Sequence, residues 1–405
     1  MGRGMRGYRA DIAFDGMRVI LGGALVLVEA GVIVGVEPGS AAAPDGCEVS
    51  YQPGTTVLPG LIETHSHLCG NSGPGALDRL PGLSPDELDT TIEEALATQL
   101  ANGVTAVRDL GDQEWAVVDR HRRRPDGPTV VAAGPPITSV GGHCALMGGA
   151  ASGVDELRRA VRERADRGAD LVKIMTSGGV MTATTDIRAC QFTVDEVRAV
   201  VDEANRLGLP VTAHAHARAA VEQCVAAGVD GIEHCSCVDE RGIHMPPELA
   251  AAIAAAGIRV CPTLGHDLSG SGGQPPPQMQ AMMERTGITM EHRQAQVGDL
   301  YRSGVTLISG ADSGINPIKR HGILPLAVIH LIACGVPTAA ALASATGLAA
   351  DACGLAGRTG RLRAGLDADL LLVGGDATTD ITAIRDVRTV VSRGRVVSRD
   401  PLGGR

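Results

Sequence analysis

The chain has 405 residues, which suffices for one large α/β barrel with an appended domain or for two or three ordinary domains. Hydrophobic residues make up 44% and charged residues 20%, a composition that is typical of globular proteins and excludes a disordered chain. The formal net charge of -10 and the aromatic content of 1% argue against a nucleic-acid partner, because a basic surface and stacking rings are both scarce.

The first 56 residues are expected to form the N-terminal part of a small β domain. Short apolar runs alternate there with turns that contain glycine or proline. The apolar stretch from 19 to 36 is interrupted by glycines and by Glu29, so its pieces have the length of strands. We therefore predict neither a signal peptide nor a membrane span. The expected strands are 18–21, 24–28 and 32–36.

The ten cysteines are scattered without CxxC pairs and without the spacing of a disulfide framework. This usage is typical of reduced thiols, so a cytoplasmic location is expected. Cys235 and Cys237 flank Ser236 directly after a histidine. Two interpretations of this pair remain open, small buried thiols or thiolate ligands of a metal ion.

From residue 57 to residue 354, short apolar runs alternate with helical stretches. The helices are expected to end at glycines, such as Gly103 and Gly168, before the next strand begins. A first strand at 57–64 brings the number of strands to eight, each almost continuously apolar, as buried parallel strands are. Eight βα repeats predict an α/β fold, a (β/α)8 TIM barrel. The other strands are expected at 104–108, 129–132, 171–174, 211–214, 231–234, 259–263 and 306–309, and helices at 85–101, 155–167, 193–207 and 247–256.

The C-terminal residues again show short apolar runs separated by turns, as the N-terminal residues do. Strands are expected at 368–373 and 387–397. We expect them to pair with the N-terminal strands into one small β-sandwich domain beside the barrel. The predicted organisation is therefore a barrel at 57–354 and a small β domain made of 1–56 and 355–405.

Polar side chains recur where the predicted barrel strands end, which is the face that carries barrel active sites. The first strand ends in His65 and His67, and alternate residues of a strand share a face. The fourth strand carries Lys173 inside an apolar run, where an ammonium group is costly unless it is paired or neutralised. A single such pair or lysine is weak evidence, but the recurrence favours a metal centre. The fifth, sixth and eighth strands end in His214 and His216, in His234, and in Asp312.

This set of residues resembles the signature of the metal-dependent amidohydrolase superfamily, over essentially the whole chain. The resemblance implies two divalent metal ions, most often Zn2+, bridged by a hydroxide and by a lysine that CO2 has converted into a carbamate. His214 and His216 both could face the ions, and the pattern of the family assigns His214, with His216 farther out toward the substrate. The implied ligands are His65, His67 and Asp312 for the first ion, His214 and His234 for the second, and Lys173 for both.

Several local strings resemble the imidazolonepropionase-related branch of this superfamily, which contains Xaa-Pro dipeptidases (prolidases) and related amidases. The strings are 59–65, 103–109, 172–180 and 213–216. The branch implies metal-assisted hydrolysis of a C–N amide bond in a dipeptide, an acyl-amino acid or a similar small amide. The ions would lower the pKa of bound water and polarise the carbonyl, and Asp312 would act as the proton shuttle.

Other functions remain open at this point. A mononuclear cyclic-amide hydrolase of the imidazolonepropionase type, or a deaminase, shares the barrel and the histidines but does not need Lys173. A phosphotriesterase-like activity would use the same pair of ions. An inactive barrel kept as a binding module would be expected to have lost ligands, and none is lost.

Candidates for substrate contact lie in the loops beside the predicted metal centre. Arg108 would clamp a substrate carboxylate or pair with Asp109. The loop 177–191 is long enough to cover the site, and 265–277 is expected to be a mobile lid or a disordered insert. The expected partner is a small-molecule amide, with no membrane association and with a homo-oligomer as an option. The histidine candidates are His143, His216 and His321.

Overall fold

The computed structural model describes residues 4–269, Pro275 and 277–397, so the predicted lid at 265–277 lies partly outside the described residues. The described elements alternate between strands and helices over most of the chain. The strands are Arg6–Ala10 (β1), Ile12–Phe14 (β2), Val19–Ile20 (β3), Ala24–Glu29 (β4), Val32–Pro38 (β5), Glu48–Tyr51 (β6), Thr55–Pro59 (β7), Leu61–Ser66 (β8), Val104–Asp109 (β9), Thr129–Ala132 (β10), Val172–Met175 (β11), Val211–Ala217 (β12), Gly231–Asp239 (β13), Gly242–Ile243 (β14), Arg259–Cys261 (β15), Leu370–Gly374 (β16), Val387–Ser392 (β17) and Arg395–Val397 (β18). The helices are Pro85–Ala101 (α1), Gly153–Arg167 (α2), Val194–Arg206 (α3), Arg218–Ala227 (α4), Pro247–Ala255 (α5), Pro277–Thr286 (α6), Met290–Arg302 (α7), Leu324–Ala333 (α8), Thr338–Ser344 (α9) and Gly347–Ala352 (α10).

The helix ends follow local capping signals. Helix α1 begins after Ser84, whose hydroxyl accepts a hydrogen bond from the Glu87 amide while the Glu87 carboxylate accepts one from the Ser84 amide. Helices α2 and α4 end at Gly168 and Gly228, which have φ angles of 76° and 78°. A residue with a side chain is strained at such angles, so glycine fixes where each helix stops. The predicted helices are confirmed to within about two residues at each end.

The parallel strands form two hydrogen-bonded groups, one of β8, β9 and β10 and the other of β11, β12, β13 and β15. Isolated bridges and a backbone hydrogen bond connect these groups in sequence. The predicted strand at 306–309 takes part through such contacts and is not a regular strand. The fold is a mixed α/β fold, as predicted. The connecting contacts are Ile137 with Ile174, Val260 with Leu307, and the Thr64 amide with the Ser309 carbonyl.

The single strand predicted at 57–64 is in fact two strands that belong to different sheets. Strand β7 pairs with β2 and β16, whereas β8 pairs with β9. Gly60 separates them, and a Cβ atom there would lie 2.1 Å from the Thr105 hydroxyl oxygen. Both strands are buried throughout, so the apolar run hides the break. The domain boundary predicted after residue 56 therefore lies too early, because 57–59 pair within the terminal sheet.

The chain termini build two further sheets. One has the strand order β5–β4–β1–β6 and the other β18–β17–β16–β7–β2–β3. One apolar cluster contains residues of both sheets, such as Val26 from the first and Leu370 from the second. Strands β1, β2 and β6 were not predicted, since β2 has only three residues and since β1 and β6 are short and carry charged or polar residues. Strands from the N- and C-terminal segments thus share one sheet.

No helix in the described part of the chain has both the length and the apolar character that crossing a bilayer requires. All ten cysteines are free. Cys235 and Cys237 are buried, and burial raises the pKa of the Cys237 thiol to about 12 and that of Cys235 well above its ordinary value. Neither side chain belongs to a group of candidate metal donors among the described residues, which favours the first of their two interpretations.

Candidate active site

Strand β8 brings His65 and His67 to Asp312. The Nε2 atom of His65 lies 3.3 Å from Oδ1 of Asp312, and Nε2 of His67 lies 3.2 Å from the same oxygen. All three side chains are buried. Burial alone would raise the pKa of Asp312, but the His65 and His67 imidazoles outweigh it and hold that pKa well below its ordinary value. Two imidazoles and a carboxylate that converge in this way are one set of candidate metal donors.

A second set of donors comes from strands β12 and β13. One ligand atom from each of His214, His216 and His234 lies within 4.8 Å of the others. The ring centroid of His234 is 4.6 Å from that of His214 and 4.4 Å from that of His216. Burial lowers the pKa of His214 and His234 well below the ordinary value. The imidazoles are therefore neutral, which is the form that binds metal ions.

One nitrogen of each imidazole is held by a neighbouring group. Nδ1 of His65 lies 2.8 Å from a Glu233 oxygen, and Nδ1 of His234 lies 2.8 Å from the Thr263 hydroxyl oxygen. Nε2 of His214 lies 3.1 Å from the Gly178 carbonyl oxygen. Such contacts orient the ring and leave its other nitrogen for a ligand, as is usual around protein-bound metals.

Lys173 lies on β11 and is fully buried at the same cavity. Its Nζ atom has no hydrogen-bond partner among the described residues. Burial lowers the pKa of this amine, although the charges of Glu233 and Asp312 act in the opposite direction. An unpartnered buried amine is costly to keep unless chemistry or a ligand satisfies it. Together with the two sets of donors, Lys173 fits a metal centre that uses it in modified form.

Arg108 is not among the residues that line the cavity, so its position does not support the predicted role as a carboxylate clamp. Its Nη2 atom donates to Glu233 at 2.9 Å and its Nε atom donates to the Thr64 carbonyl at 2.6 Å. Glu233 also accepts from the Thr212 hydroxyl at 2.6 Å. Burial would raise the pKa of Glu233, but Arg108 and His65 lower it far below its ordinary value. Arg108 therefore supports the metal donors from behind, and it does so through Glu233 rather than Asp109.

The three histidines predicted to contact substrate differ in their positions. His143 and His216 line the cavity, and the ring of His143 lies 4.7 Å from that of His214. His321 does not line it, because its Nε2 atom lies 2.8 Å from the Gly70 carbonyl and its ring packs against Gly314. The substrate role predicted for His321 is therefore not supported by its position.

Two cations at the cavity escaped the sequence analysis. Lys319 is buried, and its Nζ atom donates to the Thr263 carbonyl at 2.8 Å and to the Ala311 carbonyl at 2.7 Å. Arg293 donates to the His234 carbonyl and, at 2.9 Å, to the Pro262 carbonyl. Both groups thus bind the backbone around the metal donors. The rarity of lysine could have pointed to Lys319, since only two of the 36 lysine and arginine residues in the chain are lysines.

The cavity above the donors has a volume of about 1150 Å3, including its mouth. The loop predicted to cover the site contributes to its lining through Val180, Met181 and Ile187. In the described part of the predicted lid, His266 also lines the cavity. The cavity is therefore polar at the strand ends and largely apolar around them.

The amidohydrolase family model matches residues 56–397. The ochratoxinase of Aspergillus niger is 26% identical over 374 residues, which cover 82% of this chain and 73% of that protein. An uncharacterized protein of Mycobacterium tuberculosis (strain ATCC 25618 / H37Rv) is 26% identical over 348 residues, covering 84% of this chain and 85% of its own length.

Solved structures agree with this match. A Xaa-Pro dipeptidase with methionine bound in its active site superposes with a TM-score of 0.83 at 24% identity, covering 98% of this chain and 100% of that one. A prolidase complexed with N-methylphosphonate-L-proline has a TM-score of 0.81 at 26% identity, with the same coverage of the two chains. The chain therefore belongs to the amidohydrolase family and is a hydrolase that acts on carbon–nitrogen bonds.

Proposed function

We propose that the protein is a binuclear metal-dependent hydrolase that cleaves the C–N bond of a small amide, such as a dipeptide or an acyl-amino acid. The observation that carries this proposal is the position of Lys173. Its buried Nζ atom, without a partner among the described residues, lies at the cavity that holds both sets of metal donors. A carbamate formed there from CO2 would replace a costly buried amine by an anionic bidentate ligand.

We propose that the fold is a closed (β/α)8 barrel with a β-sandwich beside it, an architecture that suits this function. The two parallel groups of strands and the contacts between them run in one cyclic order, which supports closure. The shared apolar cluster of the two terminal sheets supports the sandwich. The metal donors then lie at the C-terminal ends of the barrel strands, where barrel enzymes carry their active sites.

The ligands of the two ions, most suitably Zn2+, follow the two sets of donors. When bound, the ions would polarise the scissile carbonyl and lower the pKa of water. His216 belongs to the second set as closely as His214 does, so it is the alternative ligand there. The proposed ligands are His65, His67 and Asp312 for the first ion, His214 and His234 for the second, and the carbamate of Lys173 for both.

Asp312 is the proposed proton shuttle. Its carboxylate is ionised, since its pKa is held well below the ordinary value, and it lies at the floor of the cavity. It would accept the proton of the attacking water and deliver it to the leaving nitrogen. His143 and His216 are placed to hydrogen-bond the substrate as neutral imidazoles, because burial lowers the pKa of His143 to about 4 and that of His216 to about 3.

A mononuclear cyclic-amide hydrolase or a deaminase is the second candidate. The observation that favours it is the group formed by His214, His216 and His234, which offers three nitrogen donors to one ion without Lys173. The two candidates therefore differ in metal stoichiometry and in their dependence on the lysine.

The test is the metal content per chain after purification with 13C-labelled bicarbonate, combined with 13C NMR. We expect about two equivalents of zinc and one carbamate signal, both of which decrease in Lys173→Ala. The control is Arg388→Ala, an exposed substitution away from the cavity, which should keep both the zinc and the signal. One equivalent of zinc that does not depend on Lys173 would reject the binuclear proposal and favour the mononuclear candidate.

A further inference from the structure

An apolar cluster of eight residues, separate from the main core, lines the cavity beside the metal donors. Three chain segments contribute to it: the loop after β11, the β13–β14 pair, and α6 with the turn that follows. Its members, called the apolar wall below, are Val180, Ile187, Val238, Ile243, Met279, Met282, Met283 and Ile288.

The apolar wall presents hydrophobic surface to the cavity. Five of its residues are only partly buried, although each has apolar neighbours in the cluster. Partly exposed apolar side chains that gather in a concave site beside polar groups are typical of ligand binding. A ligand in the cavity would therefore supply the apolar contacts that these partly buried side chains lack.

Methionine is unusually concentrated around this cavity. Six of the 11 methionines in the chain line it, three of them from α6. The methionine side chain is flexible and polarizable, so it adapts to apolar groups of different shapes. The lining thus favours a bulky apolar partner without demanding one particular outline. The six are Met175, Met181, Met279, Met282, Met283 and Met290.

The basic side chains of Lys319 and Arg293 at the cavity are already hydrogen-bonded to the protein backbone. Lys319 and Arg293 donate to main-chain carbonyls that follow the strands or lie within them. Selection among substrates would therefore rest on the apolar wall more than on a charged clamp. We infer that the substrates are amides that carry a bulky apolar group, aromatic or branched aliphatic, next to the scissile bond. This inference rests on the proposed amide hydrolysis.

The test uses four amides that differ only in apolar size: N-acetylglycine, N-benzoylglycine, N-acetyl-L-phenylalanine and N-benzoyl-L-phenylalanine. Release of the amine by the zinc-loaded protein gives kcat/KM for each. We expect at least one phenyl-bearing amide to exceed N-acetylglycine by about tenfold or more. Met282→Gln and Met283→Gln should lower that ratio several-fold, since they make the wall polar at nearly constant volume. Ala281→Gln, on the exposed side of α6, is the control that should leave the ratio unchanged.

Binding separates this inference from the proposed function. Calorimetry on the zinc-loaded Asp312→Asn variant compares N-benzoyl-L-phenylalanine with N-acetylglycine, and we expect the bulky amide to bind about tenfold more tightly or better. If none of the four amides is hydrolysed, the proposed hydrolysis fails for this class, and the affinities still decide the role of the wall. Equal affinities, or a kcat/KM ratio that the glutamine variants leave unchanged, would overturn the inference.

Lysine usage supports a second, independent inference. The chain contains two lysines against 34 arginines, and both lysines are buried at the cavity. Arginine is a planar fork, whereas lysine is a compact point charge on a flexible stem, so the two are not interchangeable where space is tight. Both lysines of this arginine-rich chain thus lie at the cavity, and the proposed metal centre accounts for Lys173 alone.

Lys319 connects the backbone around two metal donors. Its ammonium group binds the carbonyl of Ala311, directly before Asp312, and the carbonyl of Thr263, whose hydroxyl contacts His234. Asp312 and Thr263 have φ angles of 59° and 51°, in the left-handed region that is strained for residues other than glycine. We propose that Lys319 is a positioning residue that holds both strand ends in this conformation. This second inference also rests on the proposed hydrolysis.

Replacing Lys319 separates positioning from general stability. Misplacement of a reacting group by about 1 Å lowers the reaction rate on the order of 100-fold. Lys319→Gln and Lys319→Met should therefore lower kcat by about that factor, while KM changes little. Lys319→Arg, which keeps donors and charge, should recover part of the loss. Thermal unfolding followed by circular dichroism shows whether each variant is folded at the assay temperature. Unchanged kcat in folded Lys319→Gln and Lys319→Met, or a loss that appears in KM alone, would reject the positioning role.

Discussion

The metal donors and the apolar wall line the same cavity but are built in opposite ways. Each donor imidazole on β8, β12 and β13 has a second contact that orients it, such as the one between His65 and Glu233. The apolar wall consists of aliphatic and methionine side chains held mainly by packing, with one long hydrogen bond from the Thr286 hydroxyl to the Met282 sulfur. Geometry is thus enforced where bonds would be rearranged, and adaptability is kept where a substrate would be recognised.

The metal donors and the apolar wall also differ in the regularity of the secondary-structure elements that carry them. The histidine donors lie on or directly after regular parallel strands, whereas the wall comes from a loop, the end of β13 with the two-residue β14, and one helix with the turn that follows it. Strands fix the direction of their side chains closely, and connecting segments tolerate change. The comparison predicts that substitutions of the metal donors abolish most activity and that the apolar wall accepts apolar replacements.

Asp312→Asn should have the largest effect. Loss of the proton acceptor is expected to lower kcat by about 100- to 10,000-fold, while the zinc content remains nearly unchanged, because an amide oxygen can still face the ion. Activity is measured as amine release and zinc by elemental analysis. A fully active variant would remove Asp312 from the mechanism.

Arg108→Met should destabilise the protein by about 3–5 kcal/mol, because it leaves the Glu233 carboxylate buried without its main cation. The free energy of unfolding is obtained from urea denaturation at pH 7. The control is Arg188→Met, which breaks the exposed pair with Asp186 and should cost less than about 1 kcal/mol. Similar values for both variants would show that the support behind His65 is dispensable.

His214→Ala and His216→Ala should differ in metal content if the second ion uses His214. The first variant is expected to lose about one zinc equivalent, and the second to retain both ions with a higher KM, since His216 would contact substrate. Elemental analysis and steady-state kinetics on both proteins test this. The reverse result would make His216 the ligand, which the compact group of three imidazoles also allows.

Met282→Leu should have the smallest effect. A swap that nearly conserves volume and polarity costs less than about 1.5 kcal/mol in a packed site, so kcat/KM for a phenyl-bearing amide should change by less than about tenfold. The comparison with Met282→Gln shows whether apolar character or the exact side chain matters. A loss as large as that of Asp312→Asn would contradict the contrast between floor and wall.

Local patterns were enough to predict several parts of the molecule. Gly168, which was expected to end a helix, does so through its own backbone conformation. The spacing of His65 and His67 places both on one face because a strand alternates its side chains. The break at Gly60 was missed, because both strands beside it are buried on every residue and give one continuous apolar run.

The sequence by itself determined the alternation of strands and helices, the polar residues at the strand ends and the membership of those residues in one family pattern. Only the tertiary structure decided that Arg108 binds Glu233, 125 residues away, and that Lys319 joins Thr263 to Ala311. It also decided that three separate segments form one apolar wall. The physical reason is range: backbone spacing and capping act over a few residues, whereas burial, ion pairing and packing depend on neighbours that only the folded chain brings together.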